Sequence, residues 1–361
     1  LREWETNGAT HVMATFGDLG PWDPERAVRD TERIVAAQHA FWGVVPYERY
    51  VFFDYLFGGG GGLEHSASTV MIADRWDAED PARWRGWLGL VSHEYFHTWN
   101  IKRLRPASLG PFDYENENYV RDLWVVEGIT SYYDDLSLTR TGLIAPQSYL
   151  ELLGQTLSRV YRGQGRHKQT VTESSFDAWT RFYKQDENAP NAIVSYYTKG
   201  SLVALALDLT LRNLTGEKKS LDDLMRLLWA RYGQTGEGVP EQGIQPLAEE
   251  VAGCDMSDFF EQALYSTEDL PLAELLAERG VELNWRSAAG HGDNGGKPGK
   301  DGIPGPYRQK KTEVALFDLE TDISQKSNIA DENRQVVNRL RDLAKKFDTD
   351  LKASKRAKGS L

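Results

Sequence analysis

One pentapeptide, His93-Glu94-Tyr95-Phe96-His97, constrains the fold of this chain more than any other segment. Residues four positions apart lie on the same face of an α-helix, so both imidazoles can point at one metal ion. Glu94 projects from the neighbouring position, where it can act as a general base on an activated water without binding the metal. The pattern predicts a helix that carries two zinc ligands. The alternative is an amphipathic helix with two ordinary surface or core histidines.

The sequence around this motif favours the metal site. The apolar run Trp87-Leu88-Gly89-Leu90-Val91 precedes it, and Phe96 and Trp99 follow. Such a helix is apolar on most of its circumference and is expected to be buried. Buried histidines need partners, and a metal ion supplies one. Asp80-Pro81 is a helix-start signal, and Arg105-Pro106 is predicted to close the helix. The same signal at Asp23-Pro24 predicts an earlier helix that extends to about Trp42.

A hydrolytic zinc site needs a third protein ligand and one open position. The segment Leu123–Tyr133 predicts a second, mostly apolar helix with a single carboxylate, Glu127, in its middle. Glutamate is almost never buried without a partner. Glu127 is therefore the candidate third ligand, and the predicted site holds one zinc ion per chain. The alternative is an ion pair between Glu127 and an Arg or Lys at a packing interface.

The two ligand segments together resemble a known group of enzymes. His93-Glu94-x-x-His97 followed by Glu127 resembles the gluzincin metallopeptidases, whose third ligand is a Glu on a later helix. The segments His93–Arg103 and Leu123–Gly128 are similar to the two zinc-binding segments of the glycyl-aminopeptidase family, and the similarity extends over most of residues 9–285. The resemblance implies an α+β, thermolysin-like catalytic domain, in which a small antiparallel sheet leads into a helical lobe with zinc between them. It also implies zinc-dependent removal of N-terminal residues, chiefly small ones such as Gly or Ala, from peptides.

A glycine run forms the candidate substrate-binding edge. Five glycines follow Phe57, and the last two begin the segment Gly61-Gly62-Leu63-Glu64. The run lies between two predicted strands, at residues 50–55 and 68–73, and glycine allows a ligand to approach the backbone closely. In related aminopeptidases a Gly-x-x-Glu edge segment docks the substrate backbone, and its Glu holds the free α-amine. The resemblance therefore implies that Gly61 and Gly62 bind substrate and that Glu64 anchors the amine; the alternative is a flexible hairpin with an exposed Glu.

The last candidate site residue is a tyrosine. Ser195-Tyr196-Tyr197-Thr198-Lys199-Gly200 precedes an apolar helix. A Tyr-x-Lys-Gly segment in the alanyl-aminopeptidase type carries the tyrosine that donates to the oxyanion, and the resemblance assigns this role to Tyr197, with Tyr196 as the alternative. A phenol suits the role because it stays protonated near neutral pH. Aromatic packing at a helix start is the competing interpretation.

Glycines and prolines predict how the chain is divided. Seven glycines and three prolines between Gly290 and Pro306 are typical of a flexible linker. We therefore expect a catalytic domain at residues 1–288, a linker at 289–308 that contains at most the start of a PDZ-type domain, and a tail at 309–361. The β-rich domain that precedes the catalytic domain in the family and the PDZ-type domain that follows it are both expected to be incomplete.

The tail differs in charge from the rest of the chain. It has twelve Lys and Arg against nine Asp and Glu, a balance of +3 in a chain of net charge −12. The stripe Val336, Leu340, Leu343 and Phe347 predicts an amphipathic helix. The tail resembles the C-terminal end of sulfatases, but the sequence has no Cys-x-Pro-x-Arg segment, so no sulfatase activity is implied. Two interpretations stay open, a fused segment and an ordinary amphipathic tail.

Composition argues against several classes of protein and of site. The net charge of −12 argues against a nucleic-acid-binding protein. Cys254 is the only cysteine, which excludes an internal disulfide and a cysteine-rich metal site. No run of 18 uninterrupted apolar residues occurs, so no membrane span is predicted. No signal-peptide pattern is present in this sequence, and cytoplasmic and periplasmic locations and all oligomeric states stay open.

Two other functions compete with the aminopeptidase. A zinc endopeptidase or esterase could use the same site with Glu64 as a structural residue. A non-catalytic peptide-binding module could retain the fold without turnover. The intact Glu94 argues against the binding module, because loss of the base is the simplest way to abolish turnover.

Overall fold

The computed structural model describes residues 1–290, 292–297 and 331–353. They divide into two compact units: the first contains Leu1–Leu283 and the described residues from Gly290 to 297, and the second contains Asn284–Ala289 and the helix Arg334–Ala353. The predicted linker residues 298–308 and, within the predicted tail, residues 309–330 and 354–361 lie outside the described residues. The predicted domain limits therefore stay a prediction.

The first unit contains one small sheet with the spatial order β1-β2-β3-β5-β4. Its strands are β1 (Arg2–Thr6), β2 (Ala9–Phe16), β3 (Arg49–Tyr55), β4 (Gly61–Glu64) and β5 (Ser68–Ile72). The pairs β1–β2 and β4–β5 are antiparallel, whereas β2–β3 and β3–β5 are parallel. The predicted antiparallel sheet is therefore wrong, because the sheet is mixed.

The mixed pairing follows from the helix between β2 and β3. This helix, α1 (Pro24–Trp42), returns the chain to the end of the sheet from which β2 started, so that β3 runs parallel to β2. Asp23 caps α1 by accepting hydrogen bonds from the N–H groups of Glu25 and Arg26, and Pro24 stands in the first turn. The predicted limits of α1, from Asp23-Pro24 to Trp42, are confirmed.

Helices form the rest of the first unit. They are α2 (Pro81–Phe96), α3 (Ile129–Arg140), α4 (Pro146–Arg162), α5 (Val171–Phe176), α6 (Ala189–Ala192), α7 (Thr198–Thr215), α8 (Leu221–Leu228), α9 (Ile244–Ala252), α10 (Ser257–Phe260) and α11 (Leu272–Ala277). The second unit contains α12 (Arg334–Ala353). Helix α7 is buried along most of its length and packs against α3. The result is a mixed α+β architecture with a five-stranded sheet and a helical lobe. None of the described helices is both long and apolar enough to cross a lipid bilayer.

Candidate metal centre

Helix α2 positions the two histidines of the motif. Asp80 caps its first turn by accepting hydrogen bonds from two backbone N–H groups, which confirms the predicted start. The helix ends at Phe96, directly before His97, so the predicted end near Arg105 is wrong. The physical cause is a backbone reversal: Ile101 has a φ of 112°, outside any right-handed helix.

Polar contacts on the opposite side of α2 set its rotation. The amide of Gln38, on α1, donates to Ser92 O at 2.8 Å. The buried Tyr95 hydroxyl lies 2.7 Å from Nε2 of the buried His39. Tyr95 is two residues, or about 200°, around the helix from His93. Because Tyr95 is held towards α1, the motif histidines face the other way, towards Glu127.

His93, His97 and Glu127 converge on one point. Nε2 of His93 lies 3.2 Å and Nε2 of His97 lies 3.3 Å from the same oxygen, Oε2 of Glu127. The three potential ligand atoms all lie within 4.8 Å of one another. Two imidazole nitrogens and one carboxylate oxygen are the donor set of a three-ligand zinc site. The structure thus brings together the three predicted ligands, and the cluster is compatible with zinc.

The other nitrogen of each imidazole is already bonded. Nδ1 of His93 donates to Oδ2 of Asp134 at 3.2 Å, and Nδ1 of His97 donates to Asn100 O at 2.9 Å. Each Nε2 can therefore keep its lone pair for a cation, which is the usual arrangement of metal-binding histidines. Sequence reasoning missed Asp134, although its position seven residues after Glu127 places both on one face of α3 and the preceding turn.

The electrostatics of the cluster favour a positive charge at this point. Burial lowers the pKa of His93, but hydrogen bonds to Asp134 and Glu127 outweigh it and hold the pKa well above its usual value. Burial also lowers the pKa of His97, but the charge of Glu127 and its hydrogen bond outweigh this effect and raise the pKa. At Glu127 burial acts to raise the pKa, but His97 and His93 lower it below its usual range. These directions are those expected of groups that share a cation.

A π-helical turn, Trp124–Gly128, presents Glu127 directly before α3. The first N–H of this turn, at Trp124, donates to Oγ of Ser175 at 3.1 Å. At the other end, a Cβ on Gly128 would lie 2.6 Å from Cα of Gly200. Gly128 therefore has to be glycine, because α7 crosses the turn at backbone contact. This contact brings the segment that precedes α7 against the Glu127 turn.

Asn100 connects the two ligand segments, and no sequence pattern indicated this. Its backbone oxygen accepts from His97. Its buried side-chain amide lies 3.0 Å from Val125 O and 3.1 Å from Val126 O, both within the π-helical turn. A third contact, at 3.0 Å, reaches Oγ1 of Thr130. Asn100 therefore holds the turn that carries Glu127 against the end of the helix that carries the histidines.

Glu94 lies beside the cluster with its side chain largely enclosed; the residue is 5% exposed. Its Oε2 has no hydrogen-bond partner among the described residues. Burial raises the pKa of Glu94 to about 7, against the opposing charges of His97 and His93. Its carboxyl group packs onto β4, where a methyl group at Gly62 would overlap it. The predicted substrate-binding edge and the predicted base are thus in direct contact.

Tyr197 is better placed than Tyr196 for the predicted oxyanion role. The ring of Tyr197 stacks on His93 with centroids 6.3 Å apart. Burial raises its pKa far above the usual value, and the charge of Glu127 adds to this. Tyr196 is 1% exposed and packs within the core. Both hydroxyls contact the hydroxyl of Tyr183, at 3.3 Å and 3.2 Å.

Glu64 ends the edge strand β4, and it is paired with a lysine. Nζ of Lys102 lies 3.0 Å from Oε1 of Glu64. The same loop carries Arg103, whose guanidinium donates to Ser66 O at 3.0 Å and to Pro46 O at 2.8 Å. These bonds tie the β4–β5 turn to the chain that follows His97. Sequence reasoning did not single out either basic residue.

Comparison with known proteins shows which family the site is similar to. Residues 86–203 match the family model described as M61 glycyl aminopeptidase. An aminopeptidase N family protein from Idiomarina loihiensis is 41% identical in sequence, with a TM-score of 0.80 over 83% of this chain and 52% of that one. These comparisons support the predicted glycyl-aminopeptidase family. They also support the predicted class, zinc metallopeptidase.

The remaining comparisons are weaker. An M1 zinc metallopeptidase from Deinococcus radiodurans is similar at 16% identity and a TM-score of 0.48, over 75% of this chain and 52% of that chain. A likeness at this level does not bear on function. A search of curated proteins found no match. The chain spans about half the length of the Idiomarina structure.

Proposed function

We propose that the chain carries a zinc-dependent aminopeptidase site, which hydrolyses the first peptide bond of peptides with a free N-terminus. The observation that carries this proposal is the convergence of His93, His97 and Glu127 with the enclosed carboxyl group of Glu94 beside them. The first three residues would hold one zinc ion per chain. Zinc in such a site supplies Lewis-acid chemistry, since it activates water for attack and polarises the scissile carbonyl.

Glu94 is the general base of the proposed reaction. It accepts a proton from the attacking water and returns it to the leaving amine, a role typically worth ~10²–10⁴-fold in rate. Its pKa of about 7 suits a group that must both take and release a proton near neutral pH. Its free Oε2, without a partner among the described residues, has lone pairs available for that proton.

Tyr197 donates a hydrogen bond to the oxyanion that forms when water adds to the carbonyl. Its raised pKa keeps the phenol protonated, so the donor is present throughout the neutral range. Stacking on His93 keeps its ring beside the cluster. Tyr196 is the weaker candidate because it is fully enclosed in the core.

The edge strand β4 selects the end of the substrate. Gly61 and Gly62 leave its backbone open to an extended peptide, which can pair with a strand edge. Glu64, at the end of β4, binds the substrate ammonium and so measures the peptide from its N-terminus. A preference for small first residues, Gly or Ala, is part of the proposal on the strength of the family match.

The test combines metal analysis with matched substrates. The purified chain is expected to hold about one zinc per molecule and to cleave aminoacyl anilides, but not their N-acetylated forms. Glu94→Gln should retain the zinc and lose ~10²-fold or more in turnover. His97→Ala should lose stoichiometric zinc. Full zinc content after His97→Ala, or unchanged turnover after Glu94→Gln, would contradict the assignment.

A second function has one specific observation in its favour. The pairing of Lys102 with Glu64 is what a purely structural Glu64 would show, as in a zinc endopeptidase or esterase on the same site. Cleavage of N-acetylated peptides at a rate similar to that of free peptides would select this alternative.

A further inference from the structure

The ion pair between Lys102 and Glu64 lies within the proposed amine subsite. The two side chains are only 16% and 20% exposed, so water does not freely separate them as it does most surface pairs. We propose that Lys102 is a specificity-determining residue of this subsite, a resident cation that the N-terminal ammonium of the substrate must displace from Glu64. This inference rests on the proposed aminopeptidase function.

Strained backbone beside the metal cluster holds Lys102 in place. Its N–H donates to His97 O at 3.1 Å. The preceding residue, Ile101, has a φ of 112°, a conformation that β-branched residues rarely adopt. Strain of this kind persists only where surrounding contacts enforce it, and it clusters at functional sites. Here it turns the chain so that the residue after Ile101 reaches Glu64.

Glu64 lies within electrostatic reach of the proposed base. Burial is the main cause of the raised pKa of Glu94, and the charge of Glu64 adds to it. Gly62, whose backbone packs against the carboxyl group of Glu94, is two residues before Glu64 on β4. Because residues i and i+2 of a strand lie on the same face, an ammonium bound to Glu64 lies on the side of β4 that faces the proposed base. The ammonium of Lys102 now occupies that same position, so the two cations compete for one carboxylate.

The ammonium group of Lys102 has a second contact available. Its Nζ lies 5.6 Å from the ring centroid of Phe112, within the range of a cation–π contact. Arg105 approaches the same ring at 5.7 Å. The Phe112 ring can therefore stabilise the lysine after the substrate has taken Glu64, so the exchange does not require the lysine to be expelled from the protein.

If the substrate ammonium must displace Lys102 from Glu64, removing the charge of Lys102 should improve substrate binding. Replacing Lys102 by an uncharged residue removes the competing cation and leaves the subsite with one net negative charge. We expect the KM for free-amine substrates to fall about three- to tenfold. The kcat should stay within about twofold, because the lost competition affects ground state and transition state alike.

The experiment uses the zinc-loaded full chain. Lys102→Met keeps the apolar stem that packs near Phe112, and Lys102→Gln is a second neutral variant in case Lys102→Met does not fold. Lys219→Met is the matched control, because it removes a lysine paired with Asp223 at 3.1 Å, at the start of α8. KM and kcat are measured with an aminoacyl anilide over a series of salt concentrations. Lys102→Arg restores the cation and should raise the KM again.

The proposal is supported if the neutral Lys102 variants bind more tightly and their KM rises more steeply with salt than that of the wild type. A KM that is unchanged or higher in the neutral variants overturns it, because Lys102 would then lie outside the subsite or assist the anchor. Failure of the proposed function is recognised separately, in the wild type, by equal cleavage of free and N-acetylated substrates.

Discussion

Asn100→Ala tests whether the proposed zinc ligands depend on a residue that is not itself a proposed ligand. The substitution removes the amide that contacts Val125 O, Val126 O and Oγ1 of Thr130. Val126 O keeps one partner, because Thr130 donates to it at 2.6 Å. Losing two or three hydrogen bonds at about 1–1.5 kcal/mol each should cost about 2–4 kcal/mol of folding stability. For a unit of this size the melting temperature should fall by roughly 3–7 °C.

The stronger expectation concerns zinc. Without the amide, the π-helical turn is free to relax and Glu127 moves relative to the two imidazoles. Loss of such an outer contact typically weakens metal binding 10–100-fold. The zinc dissociation constant is measured by competition with a chelator, and stability by thermal unfolding of the metal-free protein.

The control for Asn100→Ala is a second buried amide. Gln169 accepts from Val194 N–H at 3.1 Å and donates to Asp177 at 3.3 Å, and neither partner belongs to the metal cluster. Gln169→Ala should lower the melting temperature without changing zinc affinity. If Asn100→Ala destabilised the protein to the same extent and left the zinc dissociation constant unchanged, the positioning role of Asn100 would be refuted.

Three further predictions concern the site and the core. Gly62→Ala places a methyl group where the Glu94 carboxyl group lies, so turnover should fall about tenfold or more while zinc content stays constant. Tyr197→Phe should lower kcat by ~10²-fold, whereas Tyr196→Phe should have a much smaller effect. Burial raises the pKa of Asp54 to about 7, so the stability that it contributes is complete below pH ~4 and is lost as the pH rises to 7, because the unfolded chain releases this proton while the folded chain still holds it. Asp54→Asn should therefore gain stability relative to the wild type by up to ~1.4 kcal/mol per pH unit over that window in denaturant titrations.

These predictions have matched controls. Gly60→Ala is the control for Gly62→Ala. Gly60 is exposed and lies next to β4, where an added Cβ meets open space, so turnover should stay nearly unchanged. Asp30→Asn is the control for Asp54→Asn, because both carboxylates accept from a tryptophan indole, at 2.9 Å and 3.3 Å respectively. If the stability difference between Asp54→Asn and the wild type did not change with pH, the raised pKa of Asp54 would be refuted. A larger loss of kcat in Tyr196→Phe than in Tyr197→Phe would exchange the roles of the two tyrosines.

Local sequence signals predicted the helices of the site well. Asp80-Pro81 and Asp23-Pro24 mark helix starts because a side-chain acceptor and a ring-locked φ act within one turn. The four-residue spacing of His93 and His97 likewise determines their common face. For these features the relevant forces act between residues that are close in sequence.

The features that sequence reasoning missed depend on distant contacts. The parallel pairing of β2 with β3 is determined by the packing of α1, and no pattern within a single strand predicts it. The end of α2 depends on a reversal at Ile101, which an aliphatic residue does not signal. The role of Asn100 depends on carbonyls of the Val125–Val126 segment, 25 and 26 residues further along the chain. The pairing of Lys102 with Glu64 likewise joins two segments that lie on opposite sides of α2 in sequence.

The π-helical turn at Trp124–Gly128 makes the number of residues as important as their identity. Each residue advances a helix by about 100°. Deleting one residue from this turn would therefore rotate Glu127 by roughly that angle, relative either to the chain before Trp124 or to α3. A homologue with a one-residue gap here could keep the glutamate, the following glycine and every apolar neighbour, and still direct its carboxylate away from the histidines. Among homologues, the spacing from Trp124 to Gly128 would therefore distinguish proteins that can bind the metal from proteins that share only the residue types of the motif.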